Sequence, residues 1–74
     1  MNRSIAQAIV DEVESAGLFL ADTQGEELFF ATSGYPIEEI DLDEVYDLAS
    51  MYAAVTVYEA YHQGEDMIVV TILN

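Results

Sequence analysis

Six carboxylates fall within ten residues in the run Glu38-Glu39-Ile40-Asp41-Leu42-Asp43-Glu44-Val45-Tyr46-Asp47. Acids this close together suit three kinds of chemistry: paired acid–base catalysis, ligation of a hard cation, or attraction of a basic surface. The chain has fifteen Asp and Glu in 74 residues, so several will sit at glycosidase-like separations by chance, and proximity alone singles out no catalytic pair. Cation ligation needs a more ordered pattern. Neither Asp41-Leu42-Asp43-Glu44 nor Asp22-Thr23-Gln24-Gly25-Glu26-Glu27 matches the D-x-[DN]-x-[DN]-G-x5-E loop of an EF-hand, so the expectation is weak divalent binding without a dedicated metal site.

Nucleophilic catalysis has little material. There is one histidine, His62, with no Cys and no Lys, so the Ser–His, Cys–His and lysine arrangements all reduce to a single base beside a turn. An exposed histidine with no catalytic role is the expectation there. The four glycines stand apart, and the lysine that completes a phosphate-binding loop does not occur, so no nucleotide or other cofactor is expected. These observations point away from an enzyme.

Attraction of a basic surface is left, and the charge balance favours it. Arg3 is the one Lys or Arg, which gives a formal net charge of −14. Like charge on a small fold opposes compaction through self-repulsion, so a charge this large points to something outside the chain. Duplex DNA carries one charge per about 1.7 Å of axis, and a small domain bearing most of these acids on its surface approaches that density. Direct binding of nucleic acid or anionic lipid would need a basic patch, which Arg3 and His62 do not make. No apolar stretch approaches the roughly 20 residues that span a bilayer, so the expected setting is soluble and cytoplasmic.

The elements that must position these acids are legible from periodicity. Ile5, Ile9, Val10 and Val13 recur at helical spacing, which predicts a first helix from Asn2 or Ser4 to Ala16, stopped by Gly17. Leu18–Ala21 and Leu28–Thr32 read as strands of a hairpin whose medium-length loop is Asp22–Glu27. Ser33-Gly34-Tyr35-Pro36 is punctuation. Asp41 and Glu44 have the spacing of a helix cap, and Leu42, Val45, Leu48, Ala49 and Tyr52 follow with helical period, predicting a second helix from Leu42 to Met51 or Tyr52. The β-branched and aromatic content of Val55–His62 favours a strand over a longer helix. With the turn Gln63–Asp66 and the apolar run Met67–Leu73 it makes a second hairpin. The expected fold is a single α+β domain over residues 1–74, in the order α-β-β-α-β-β. It has a four-stranded, mostly antiparallel sheet with two helices on one face. The continuous apolarity of Met67–Leu73 implies a strand covered on both faces or lying at a subunit contact, and an exposed edge there would promote a homodimer.

A short chain with extreme acidity, no Cys and almost no basic residues resembles the small phage-encoded inhibitors that mimic nucleic acid. Anti-CRISPR proteins are the nearer likeness, with uracil-DNA glycosylase inhibitors beside them. The resemblance is one of composition and covers the whole chain; it carries over no family motif. It implies a non-enzymatic inhibitor that binds a basic face of a CRISPR effector complex or nuclease and excludes the target nucleic acid. On the residues themselves, the contact set is expected at Glu38, Glu39, Asp41, Asp43, Glu44 and Asp47, with Tyr35, Tyr46 and Tyr58 serving either as contact area or as core edge. Two other readings share the same surface physics: an immunity protein or antitoxin against a basic nuclease toxin, and halophilic adaptation without any mimicry.

Overall fold

The computed structural model describes residues 4–73. The first helix, α1, runs Ile5–Ser15. Its orphan backbone donors are met at the start by Ser4, whose hydroxyl accepts from the Gln7 amide at 3.0 Å. An earlier start at Asn2 lies outside the described residues. Ile9, Val10 and Val13 form the buried stripe, as their spacing requires. The helix closes with the Ala16 and Gly17 amides turned back onto the Val13 and Glu14 carbonyls.

Strands β1 (Leu18–Gln24) and β2 (Glu27–Thr32) form the first hairpin. They extend into the stretch that reads as loop, leaving Gly25 and Glu26 as a two-residue turn with φ +59° at Gly25. The polar residues Thr23 and Gln24 fit a strand because β1 is an edge of the sheet, where side chains meet water. A bulge between Leu20 and Asp22 shifts the register there.

A short 3-10 helix, Ile37–Glu39, leads into α2 (Leu42–Ser50). The Asp41 carboxylate accepts from the Asp43 amide at 3.0 Å and the Glu44 amide at 3.3 Å, which is the cap that the Asp41–Glu44 spacing predicts. Strands β3 (Val55–His62) and β4 (Glu65–Ile72) follow. The second hairpin turns more tightly than expected. Gln63 (φ +53°) and Gly64 (φ +86°) are its two turn residues, as in a type I′ turn, and Glu65 and Asp66 belong to β4.

The architecture is α+β with a four-stranded antiparallel sheet in the order β1-β2-β4-β3. Each half of the chain is a helix followed by a hairpin, and the halves meet through their second strands, β2 and β4. The main core packs Ile9, Val10 and Val13 of α1 and Val45 and Ala49 of α2 against Leu28, Phe30, Val55, Ile68 and Val70 of the sheet. Both helices therefore lie on one face. Phe29, Met67 and Val69 form a second buried cluster on the other face, with Ala60 against it. This explains the unbroken apolar run of β4: Met67, Ile68, Val69 and Val70 alternate between two covered faces. It also corrects the expectation of an exposed Met67–Leu73 edge. β4 is an inner strand, paired with both β2 and β3 from Ile68 to Thr71, and the edges are β1 and β3, so that premise for self-pairing does not hold.

Candidate functional site

All six acids of the Glu38–Asp47 run are exposed. The fold divides them. Glu38 points outward from the 3-10 helix, while Asp43 and Asp47 lie one turn apart on the outer side of α2 with Tyr46, itself 47% exposed. Glu39, Asp41 and Glu44 are gathered on the rim of a cleft of about 170 Å³. The cleft forms where the end of α1, the start of β1 and the entry to α2 converge, and its remaining lining is Ala16, Leu18, Tyr35, Ile40 and Val45. The sequence run thus contributes three carboxylates to a hollow of mixed polar and apolar lining, continued by an acidic stripe along the adjoining helix.

The cleft owes its shape to Tyr35. Its hydroxyl donates to the Gly17 carbonyl at 2.7 Å, drawing the segment before the 3-10 helix onto the turn between α1 and β1. Thr32 supports the same segment by donating its hydroxyl to the Tyr35 carbonyl at 2.8 Å. Tyr35 is therefore both a structural tie and part of the cleft lining. Asp41 has a double role as well, since one of its oxygens caps α2. Acids at this helix entry also complement the helix dipole, but the outward-facing Asp43–Asp47 stripe extends beyond that local requirement.

Charge elsewhere adds to the same field. Among the described residues His62 is the one side chain able to carry a positive charge, and it lies on the helix-free face against Asp22, at 2.8 Å. The acids at the cleft accordingly have no cationic partner among the described residues. His62 departs from the expected exposed histidine: it is 18% exposed and its ring stacks on Phe29 at a centroid distance of 3.9 Å and an interplanar angle of 21°. The hydrogen bond from His62 holds the Asp22 carboxyl below its ordinary range, helped by the Gln24 amide at 3.3 Å. Tyr58 is 40% exposed, and its hydroxyl donates to Glu27 at 3.4 Å.

Among the described residues no three His, Cys, Asp or Glu side chains converge as metal ligands. Among the same residues no helix is long and apolar enough to cross a membrane. The acid run is visible in the sequence, as is Tyr35 beside it; Leu18 is not, because it reaches the cleft only through tertiary packing. No family model matches the chain, and neither a curated protein nor a solved structure matches it.

Proposed function

We propose that the chain is a protein inhibitor that binds the basic, nucleic-acid-binding surface of a CRISPR effector complex or nuclease and excludes the nucleic acid by charge mimicry. The observation that carries this reading is the cleft: Glu39, Asp41 and Glu44 around an apolar lining that includes Leu18, Ile40 and Val45, with Asp43 and Asp47 continuing the negative surface along α2. Such a site suits a Lys or Arg side chain. The aliphatic stem lies on the apolar residues while the cationic head meets the carboxylates, and an arginine gains paired, charge-assisted hydrogen bonds. Lysines and arginines that line a nucleic-acid channel are spaced to meet phosphates, so carboxylates at comparable spacing compete for them. The net charge of −14 steers the encounter and makes it sensitive to salt.

The test is charge reversal in pairs. Glu39→Lys with Glu44→Lys removes the cleft rim, and Asp43→Lys with Asp47→Lys removes the helix stripe, while Asp41 is kept for its cap. Binding to candidate effector complexes and nucleases is measured alongside nucleic-acid competition. Each pair should lower affinity by at least tenfold at physiological salt, and the cleft pair should do so more than the stripe. Unchanged affinity for a bound effector in both double variants removes this site assignment.

A further inference from the structure

The second hairpin parts from β2 before its tip, while Ala31 and Thr32 of β2 stay paired with Phe19 and Leu18 of β1. β2 is registered against β4 from Glu27↔Thr71 to Phe30↔Ile68, and beyond that point Met67, Asp66 and Glu65 are registered only with Ala60, Tyr61 and His62 of β3. This two-stranded overhang curls across the helix-free face. Phe29 is level with Val69 and, through it, with Tyr58, yet the ring stacked on Phe29 belongs to His62. In a flat sheet four residues of strand would separate the two by about 13 Å. The observed 3.9 Å is reached because the overhang bends back, and its tip meets Asp22 on β1, the opposite edge strand.

Met67, at the root of the overhang, is buried in one cluster with Phe29 and Val69. A two-stranded ribbon is marginal by itself, so closure depends on this small cluster and on the polar contact at its tip. Asp22 from β1 is 2.8 Å from His62 Nε2, Phe29 from β2 covers the ring, and Glu65 from β4 is the cross-strand partner. The Gln24 and Gln63 side-chain amides donate to the same Asp22 oxygen at 3.3 and 3.4 Å. The charged groups placed against His62 are thus both carboxylates.

We propose that the overhang is a pH-sensitive strap: a proton on His62 turns its contact with Asp22 into an ion pair that holds the strap closed over Phe29, Met67 and Val69, and loss of that proton loosens it. Histidine is the side chain whose ordinary titration falls near neutrality, and the charged groups placed against this ring are the carboxylates of Asp22 and Glu65. The amides on Asp22 do not titrate, so the carboxylate stays in place as acceptor while the imidazole changes. A loosened strap uncovers an apolar patch on the face opposite the helices. This device stands independently of the inhibitor reading.

Oxidation of Met67 reports the strap directly. Met67 is 1% exposed, buried where the strap meets Phe29 and Val69, while Met51 is 67% exposed at the end of α2 and serves as an internal reference. The chain is treated with dilute hydrogen peroxide at about pH 5.5 and about pH 8, on either side of the ordinary histidine range, and sulfoxide at each methionine is followed by peptide mass spectrometry. The Met67-to-Met51 rate ratio should rise about threefold from the lower to the higher pH, as expected for a part-exposed pair losing its charge. In His62→Gln and in Asp22→Asn the ratio should be the same at both pH values. General relief of self-repulsion acts on all three proteins, so the difference among them belongs to the pair. A pH-independent ratio in the unmodified chain overturns the proposal, as does an undiminished rise in either variant.

Discussion

The Tyr35 hydroxyl donates a 2.7 Å hydrogen bond to the carbonyl of Gly17, eighteen residues earlier, and this one contact joins the turn that ends α1 to the segment that begins the acidic run. The cleft lies between them. Its geometry is therefore set by a neutral hydrogen bond, and the carboxylates on its rim ride on that scaffold.

Gly17 is the position where this joint is least tolerant. Its φ is +100°, and a Cβ there would stand 2.8 Å from the Tyr35 hydroxyl oxygen. Gly17→Ala should cost about 1–2 kcal/mol, from the left-handed backbone together with displacement of the tyrosine. Urea denaturation checks this, with a lower midpoint at unchanged slope as the expected result.

Asp41 offers a way to separate stability from charge. Asp41→Ala removes the acceptor for the Asp43 and Glu44 amides and should destabilise the chain by about 1 kcal/mol. Asp41→Asn keeps a capping oxygen and should stay within about 0.5 kcal/mol of the parent, because Asn and Asp cap about equally well. On the inhibitor reading both variants weaken partner binding, and the Asn variant does so while leaving the denaturation midpoint nearly unmoved.

Acid titration of stability has a definite sign at Asp22. Its carboxyl titrates below the ordinary value in the folded chain, chiefly because of the His62 hydrogen bond. The unfolded chain thus takes up that proton at higher pH than the folded one. The stabilisation is fully present above the ordinary carboxylate range and is lost as pH falls through the lowered folded value. Protonation of the other acids relieves self-repulsion and pushes the other way, so the readout is a difference. The stability gap between the parent and Asp22→Asn should narrow as pH is lowered from 6 toward 2, as measured by denaturation across that range.

Gln63 occupies φ +53° in the turn between β3 and β4, a conformation that Asn adopts at lower cost than Gln. Gln63→Asn should raise stability by about 0.5 kcal/mol, within the range found for relieving such turn strain, despite losing the long 3.4 Å contact to Asp22. Thermal denaturation followed by far-UV circular dichroism checks the direction.

Salt separates a mimic from a brine-adapted protein. With fifteen apolar residues buried in two clusters among the described residues, the chain should remain folded at low ionic strength. Added monovalent salt should raise its melting temperature gradually as screening shortens the reach of the repulsion. Loss of the far-UV signal in low salt would instead assign the acids to halophilic solubility.

Much of this architecture is legible in the residues because each helix advertises its buried stripe. Ile9 and Val13 on α1 and Val45 and Ala49 on α2 mark the faces that meet the sheet, and Asp41 marks where α2 begins. Asp22 and Thr23 are misleading, since polar residues on an edge strand look like loop until the sheet order is known. The same order places β4 inside, which its apolarity allows but does not require. At the candidate site the acids and the neighbouring Tyr35 are plain, whereas the contribution of Leu18 arises from packing between distant segments. His62 is similar: nothing near it in sequence announces Asp22 or Phe29, because both come from the other hairpin.

The joining of the two halves through β2 and β4 has a kinetic consequence. Each hairpin forms from neighbours in the chain, but the pairs from Phe30↔Ile68 to Glu27↔Thr71 connect residues 38 to 44 positions apart. Loop-closure entropy is therefore concentrated at this central seam, and contacts of long sequence separation slow folding. The refolding rate of the whole chain reports how readily that seam closes, more than how quickly either hairpin turns.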